Sequence, residues 1–358
     1  MQSAGHQVGV DAEKGPEKIL IVGPAWIGDM VMAQSLFKLL RRDDPGVLID
    51  VVAPGWSEAL LARMDEVRDA VPMPLGHGQF GLRKRIAIGR SLRRAGYDRA
   101  IVLPRSMKAA LVPFFAAIPL RTGFRGEMRF GLLNDVRKLD RTSLDQTVKR
   151  FIALGVPRGA NLPAPPQPRL TIDERNRSAL LRRFEIDTTR GLVALMPGAA
   201  YGPAKCWPIE NFADLAGQLT QAGITVLVLG AEGERKVGEE IRNVAGESVR
   251  NLCGRTRLED AVDILAATGA VVSNDSGLMH VAAAAGTHVV GIYGSSSPDF
   301  TPPLTDHKTI CYLDLECSPC FSRDCPLSHL RCLRDIKPDQ VLQSVSAALA
   351  KVPNRLFA

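Results

Sequence analysis

Short, uninterrupted apolar runs recur along this chain, each stopped by glycine or proline and most leading into a segment of helical period. In the first half they are KILIVG (18–23), VLIDVVAP (47–54) and RAIVLP (99–104). In the second half they are GLVALMPG (191–198), ITVLVLG (224–230), AVVSND (270–275) and HVVGIYG (288–294). A strand without polar alternation buries both faces, and such strands belong to parallel sheets flanked by helices on either side. The chain therefore reads as α/β, with two doubly wound halves.

Between the halves lies GVPRGANLPAPPQPRL (155–170), with five prolines. Proline fixes φ and cannot donate to a sheet, so this stretch is a stiff connector. The expected organisation is a disordered leader over 1–17, an N-terminal Rossmann-like domain over 18–156 and a proline-rich linker over 157–170. A C-terminal Rossmann-like domain follows over 171–337. The segment 338–358 is expected to be a helix returning to the first domain. Ligands of such sheets bind beyond the carboxyl ends of the strands, so two of them facing each other make a cleft.

Charge is uneven. Up to residue 165 there are 25 Lys+Arg against 16 Asp+Glu; the remainder has 20 against 22. A basic first half points to an anionic partner: a phosphorylated substrate, a lipid surface or nucleic acid. Aromatic residues are only 5% of the chain, too few for base stacking along a single strand. No apolar run approaches the roughly 20 residues of a membrane span, and the polar N-terminus lacks a signal-peptide core. The expected location is the cytoplasm.

The stretch ILIVGPAWIGDMVMAQSLFKLL (19–40) runs strand, glycine turn, helix. Gly23 and Gly28 have the spacing of a nucleotide-triphosphate loop, but Asp29 stands where that loop carries lysine. Asp29 reads either as a helix cap or as a base at the cleft, ionised with help from the helix N-terminus. In MPGAAYGPAKCWP (196–208), Lys205 ends a glycine-containing loop just before a helix and suits an anion. In VVSNDSGLMHVAAAAG (271–286), Ser276 and Gly277 open a helix whose free amides favour phosphate. Asp275 is poised for sugar hydroxyls, and His280 lies one turn further on. Each of these also fits a purely structural role. No D-x-D occurs, so a departing diphosphate would rely on Lys205 and helix N-termini rather than a metal.

Cys317, Cys320, Cys325 and Cys332 follow C-x2-C-x4-C-x6-C, with His329 between the last two. The spacing departs from a zinc knuckle, and both a structural metal and reduced loop thiols remain open readings.

Taken in order, GPAWIGDMVMAQSL, MPLGHG, YDRAIVLPRSMKAALVPFFAAIPLRTGFRGEMRFGLLNDVR, PGAAYGPAKCWP, NDSGLMHVAAAAG and YGSSSPDFTPPL resemble the bacterial ADP-heptose:lipopolysaccharide heptosyltransferases, over roughly residues 18 to 345. The resemblance implies a GT-B fold. It implies a metal-independent, inverting transfer of L-glycero-D-manno-heptose from ADP-L-glycero-beta-D-manno-heptose to the first heptose of the inner core, on heptosyl-Kdo2-lipid A. No cofactor is implied. Asp29 would be the base and Lys205 the contact to the diphosphate. Glu232 would hold the ribose, and Asp275, Ser276, Gly277, Leu278 and His280 would line the donor site. Ala199 and Ala200 replace hydroxyl residues of some relatives, leaving backbone amides there.

Lipopolysaccharide precursors carry phosphates and acidic sugars at a membrane face. Arg105, Lys108, Arg121, Arg125 and Arg129 are the candidates to meet them. The run Arg83, Lys84, Arg85, Arg90, Arg93, Arg94 reads as a solvated helix face, with a peripheral role on the anionic inner membrane as the alternative. Nucleic acid is not an expected partner. A different sugar-nucleotide transferase or epimerase of the same architecture is the competing enzyme reading, and a basic, non-catalytic nucleic-acid binder the competing non-enzyme one.

Overall fold

The computed structural model describes residues 15–76 and 78–351, so most of the expected leader lies outside the described residues. Two six-stranded sheets are present. The first comprises β1 (Lys18–Val22), β2 (Leu48–Pro54), β3 (Val67–Met73), β4 (Arg99–Val102), β5 (Leu120–Phe124) and β6 (Asp135–Arg137). The second comprises β7 (Leu192–Met196), β8 (Thr225–Val228), β9 (Val249–Asn251), β10 (Ala270–Asn274), β11 (His288–Ile292) and β12 (Lys308–Cys311).

The orders are β3-β2-β1-β4-β5-β6 and β12-β11-β10-β7-β8-β9. Counted within its own domain, the second order is the mirror listing of the first. Every pair is parallel. This is the dinucleotide-binding order, which reverses direction beside its first strand and leaves a crevice there. Asp29 follows β1, Lys108 follows β4, Lys205 follows β7 and Asp275 follows β10. All four therefore rise from the two switch points.

The apolar strands are buried as their composition requires: Ile19, Leu20 and Ile21 in β1, and Val193, Ala194 and Leu195 in β7, are fully buried. One apolar cluster runs through both domains. It joins Leu36, Phe37 and Leu40 of the helix Ile27–Asp43 to Val281, Ala282 and Ala284 of the helix Gly277–Ala284. The proline-rich connector is pinned across this junction. Gln34 donates to Arg169 O at 2.7 Å and accepts from Arg169 N at 2.9 Å; Ser35 donates to Pro166 O at 2.6 Å; Leu170 N donates to Ala284 O at 2.9 Å. These bonds explain two fully buried polar residues, Gln34 and Ser35, in an otherwise apolar helix.

The helix Pro338–Leu349 packs on the second domain, against the helix Ile209–Gln221 and strands β10 and β11. Val341, Val345 and Ala348 join the apolar cluster there. The expected return to the first domain is thus replaced by packing on the second sheet, because the apolar face of this helix matches the uncovered side of β10 and β11.

Candidate active site

The helix Ile27–Asp43 begins at the Trp26 cap, so Asp29 sits inside its first turn rather than capping it. The cap reading of Asp29 is corrected on that ground. Its carboxyl is pushed up from 3.8 to about 6, chiefly by burial, with the Asp275 carboxylate adding to the rise and the Lys205 ammonium opposing it. Desolvation outweighs the helix N-terminus, which alone would favour the anion. A carboxyl at about 6 is still mainly ionised at neutral pH, yet it is a far better proton acceptor than an exposed aspartate.

Facing it from the second domain, Lys205 ends a short 3-10 turn, Pro203–Lys205, and donates from Nζ to Asp275 Oδ2 at 2.5 Å. The ammonium also lies 5.2 Å from the Tyr201 ring centre. The loop that carries it is held from two sides. Asn274, at the end of β10, donates from Nδ2 to Pro197 O at 2.6 Å and accepts from Trp207 N at 2.9 Å. The cysteine-containing segment braces the other side: Ala204 N donates to Arg323 O at 2.9 Å, and the Tyr201 hydroxyl to Phe321 O at 2.8 Å.

The helix Gly277–Ala284 starts at Ser276 and points its N-terminus at the same place. Its first residue, Gly277, has no room for a side chain: a Cβ there would lie 2.8 Å from Ile27 Cβ. Similarly, a Cβ on Gly28 would lie 2.6 Å from His280 Cδ2. Two helix N-termini, one from each domain, thus meet glycine against side chain at the cleft. His280 is buried, and burial lowers its pKa to about 4, so the ring is neutral; its Nδ1 has no partner among the described residues.

Three cavities run into one another along the cleft. One of about 300 Å3 in the second domain is lined by Met196, Gly198, Leu229, Glu234, Leu258 and Leu278, among others. The next, about 370 Å3, holds Asp29, Tyr201, Lys205, Asp275 and His280, and shares Ile27, Ala200, Ser276 and Gly277 with the first. The third, about 750 Å3, opens into the first domain and shares Trp26, Asp29, Phe300 and Thr301 with the second. Asp29 stands at the junction of the last two.

Of the residues read from the sequence, Asp29, Lys205, Asp275, Ser276, Gly277 and His280 come together, and Leu278 lines the adjoining cavity. Glu232 does not. Its side chain is 69% exposed and turned to Arg235, 3.5 Å away. Glu234 lines the cavity instead, with Oε2 accepting from Ala231 N at 2.6 Å. Gly198 and Gly230 make room for that carboxylate: a Cβ at either would fall within 2.3 Å of its oxygens. That pairing of two strand-end glycines with a carboxylate is not visible in the linear sequence.

The expected acceptor arginines also divide. Lys108 lines the largest cavity. Arg129 is buried and spends its donors on Pro104 O at 2.7 Å and on Phe124 O, fastening two loops; burial lowers its pKa to about 10. Arg121 donates to Leu132 O at 2.7 Å and Ile118 O at 2.5 Å. Arg105 and Arg125 are exposed and line none of the three cavities. Arg85, read above as part of a solvated helix face, turns inward and lines the largest cavity. The four cysteines at 317, 320, 325 and 332 carry free thiols. Among the described residues, no group of three or more His, Cys, Asp or Glu side chains is arranged to hold a metal.

The model of glycosyltransferase family 9 (heptosyltransferase) matches residues 85–331. Lipopolysaccharide heptosyltransferase 2 of Escherichia coli K12 is 45% identical over 342 residues, which is 93% of this chain and 98% of the relative. Lipooligosaccharide heptosyltransferase 2 of Haemophilus influenzae is 43% identical over 347 residues, covering 93% and 99%. The solved structure of E. coli ADP-heptose lps heptosyltransferase II superposes with a TM-score of 0.82 at 42% identity, covering 93% of this chain and 99% of that one.

Proposed function

The chain belongs to glycosyltransferase family 9, the heptosyltransferases, and from that premise we propose how its cleft divides the work. The protein is a GT-B glycosyltransferase that adds heptose to the lipopolysaccharide inner core, with an ADP-heptose donor. The nucleotide occupies the cavity of the second domain, its ribose near Glu234. The diphosphate lies between Lys205 and the amides at Ser276 and Gly277, and the heptose reaches toward Asp29. The acceptor, a core whose first heptose carries the attacking hydroxyl, fills the first-domain cavity.

Asp29 takes the proton of that hydroxyl as its oxygen bonds to the anomeric carbon. The carbon–oxygen bond to the diphosphate breaks on the opposite face, inverting the centre, and ADP carries the electron pair away. Lys205 and the helix N-terminus offset the charge that develops on the leaving group. The proton on Asp29 returns to solvent. No step in this scheme calls for a metal.

A single observation carries the reading: the one carboxylate shared by the two inner cavities is Asp29, raised to about 6. The test is transfer from ADP-heptose to acceptors bearing zero, one or two heptoses, with and without EDTA. Wild-type protein is expected to act on the one-heptose acceptor in both conditions. Asp29→Asn should bind ADP-heptose normally and lose about 10²–10⁴-fold in turnover. Wild-type turnover in that variant refutes the role of Asp29.

The same reading extends to a membrane. Phe80, Leu82, Met128 and Phe130 are exposed apolar residues of the first domain, close in sequence to the basic residues Arg83, Lys84, Arg105 and Arg125. Such a mixed surface suits an anionic bilayer that presents a lipid-anchored acceptor. Association with anionic vesicles should weaken as salt rises; salt-insensitive binding argues against it.

A further inference from the structure

The first-domain cavity contains an unexplained charge. Arg85 lies on the helix Leu82–Leu92 and is only 8% exposed. Its Nε donates to Phe80 O at 2.7 Å; among the described residues, its other guanidinium nitrogens have no hydrogen-bond partner and no carboxylate pairs with it. Burial alone lowers its pKa. Two other arginines of this domain, one buried and one half-buried, are not in that position. Arg129 spends both terminal nitrogens on carbonyls, and Arg63, 13% exposed at its side chain, is paired with Asp263. Burying a guanidinium without a counter-charge is costly, and such groups are normally paired.

Lys108, the other cation of the same wall, donates to Gln79 O at 3.3 Å and likewise has no carboxylate partner among the described residues. Among the described residues, the only acidic one lining the cavity is Asp29. The wall is therefore polarised, with the base at the donor side and two uncompensated cations elsewhere on its lining.

We propose that Arg85, with Lys108, forms an anion subsite that holds an acidic group of the acceptor and so turns the attacking hydroxyl toward Asp29. The proposal rests on the acceptor occupying the first-domain cavity. The ligand is a sugar-borne phosphate ester or a sugar carboxylate. A guanidinium fork pairs with either in bidentate fashion, whereas an ammonium acts as a point charge. The subsite thus selects for an acidic core rather than for a neutral heptoside.

The experiment compares three acceptors: the native one-heptose core, the same core after phosphatase treatment, and the same core with its carboxylates reduced to alcohols. Arg85→Gln should raise the acceptor KM at least tenfold on the native core while leaving the ADP-heptose KM unchanged. Arg85→Lys should recover part of that loss. The acceptor that has lost the responsible anion should bind wild type and Arg85→Gln alike, and which acceptor does so names the group. Lys108→Gln gives an independent variant should Arg85→Gln fail to fold. The subsite is overturned if the native-core KM is unchanged in both variants. It is also overturned if the variants weaken all three acceptors and the donor equally, as a structural role would. Those outcomes leave the transferase reading standing; absence of heptose transfer by wild type on every core overturns that reading itself, and the subsite with it.

Discussion

A base must be uncomfortable as an anion, and Asp29 is. Moving a carboxyl from 3.8 to about 6 corresponds to at most roughly 3 kcal/mol against its charged form at neutral pH. The folded-state pKa is raised, so the folded protein holds the proton more tightly than the unfolded chain. The cost is absent below about pH 3.8 and grows as pH rises through about 6. Asp29→Asn should therefore unfold at higher temperature than wild type at pH 8, with the advantage shrinking to nothing near pH 3.5. Thermal melts across that range check it; a destabilised Asn variant at pH 8 contradicts the assignment. Activity should fall on the acid side with a midpoint near 6. Because the Lys205 ammonium lowers the Asp29 pKa, Lys205→Met should move that acid limb upward and raise the ADP-heptose KM. A limb that moves down or stays fixed would detach the two residues. His280 contributes nothing to such a profile above pH 5, since its ring is already neutral.

At the scale of elements, the sequence announced the interior strands and hid the outer ones. All seven apolar runs became strands β1, β2, β4, β7, β8, β10 and β11, while β3, β5, β6, β9 and β12 went unread. Four of those five are the sheet edges. An edge strand is half-solvated, so it carries charges such as Arg68 and Asp69 in the seven-residue β3, or Asp135 and Arg137 in the three-residue β6, and no apolar run betrays it. The same blindness explains the site. Asp275 directly follows β10, while Asp29 and Lys205 lie in the segments after β1 and β7, whose glycine turns mark them. Arg85 and Glu234 lie on a helix and a 3-10 turn, and each is turned by a short-range bond, to Phe80 O and from Ala231 N, that no run of apolar residues reveals. Gly28 is also informative at this scale. Alanine is the better helix former by about 1 kcal/mol, so a glycine inside the helix needs a reason, and the His280 ring supplies it. Gly28→Ala should keep the sheet intact yet hold the two helix N-termini apart, lowering turnover at least tenfold. Adding His280→Ala should restore the approach of the helices, as read by protection of their first-turn amides from hydrogen exchange. No recovery in the double variant would show that the contact does not govern closure.

For the whole molecule, two domains were legible because the pattern of apolar runs repeats across a proline-rich stretch. How firmly they are joined was not, because the joint is made by residues that look ordinary alone. Arg63 of the first domain donates to both oxygens of Asp263 in the second, at 3.1 and 2.8 Å, and also to Thr171 O at 3.0 Å. Asp263 is fully buried and further accepts from Asp173 N and Asn176 Nδ2, each at 2.8 Å. One carboxylate thereby ties the first domain, the end of the connector and the second domain together, and at the cleft edge Thr147 N donates to Phe300 O at 3.2 Å while the Arg150 guanidinium lies 4.7 Å from the Phe300 ring centre. Removing one partner of a buried pair leaves the other charge stranded and costs about 3–5 kcal/mol, whereas replacing both with apolar residues costs much less. Asp263→Ala should thus destabilise by that amount in denaturant melts. Arg63→Met combined with Asp263→Leu should recover much of the loss, but not all, because Asp173 N loses its acceptor and Asn176 Nδ2 is left with Asp260 Oδ1 at 3.1 Å. Strictly additive losses in the double variant would mean that the pair does not act as one joint, and the domains would then be held by the apolar cluster and the bonds of the connector.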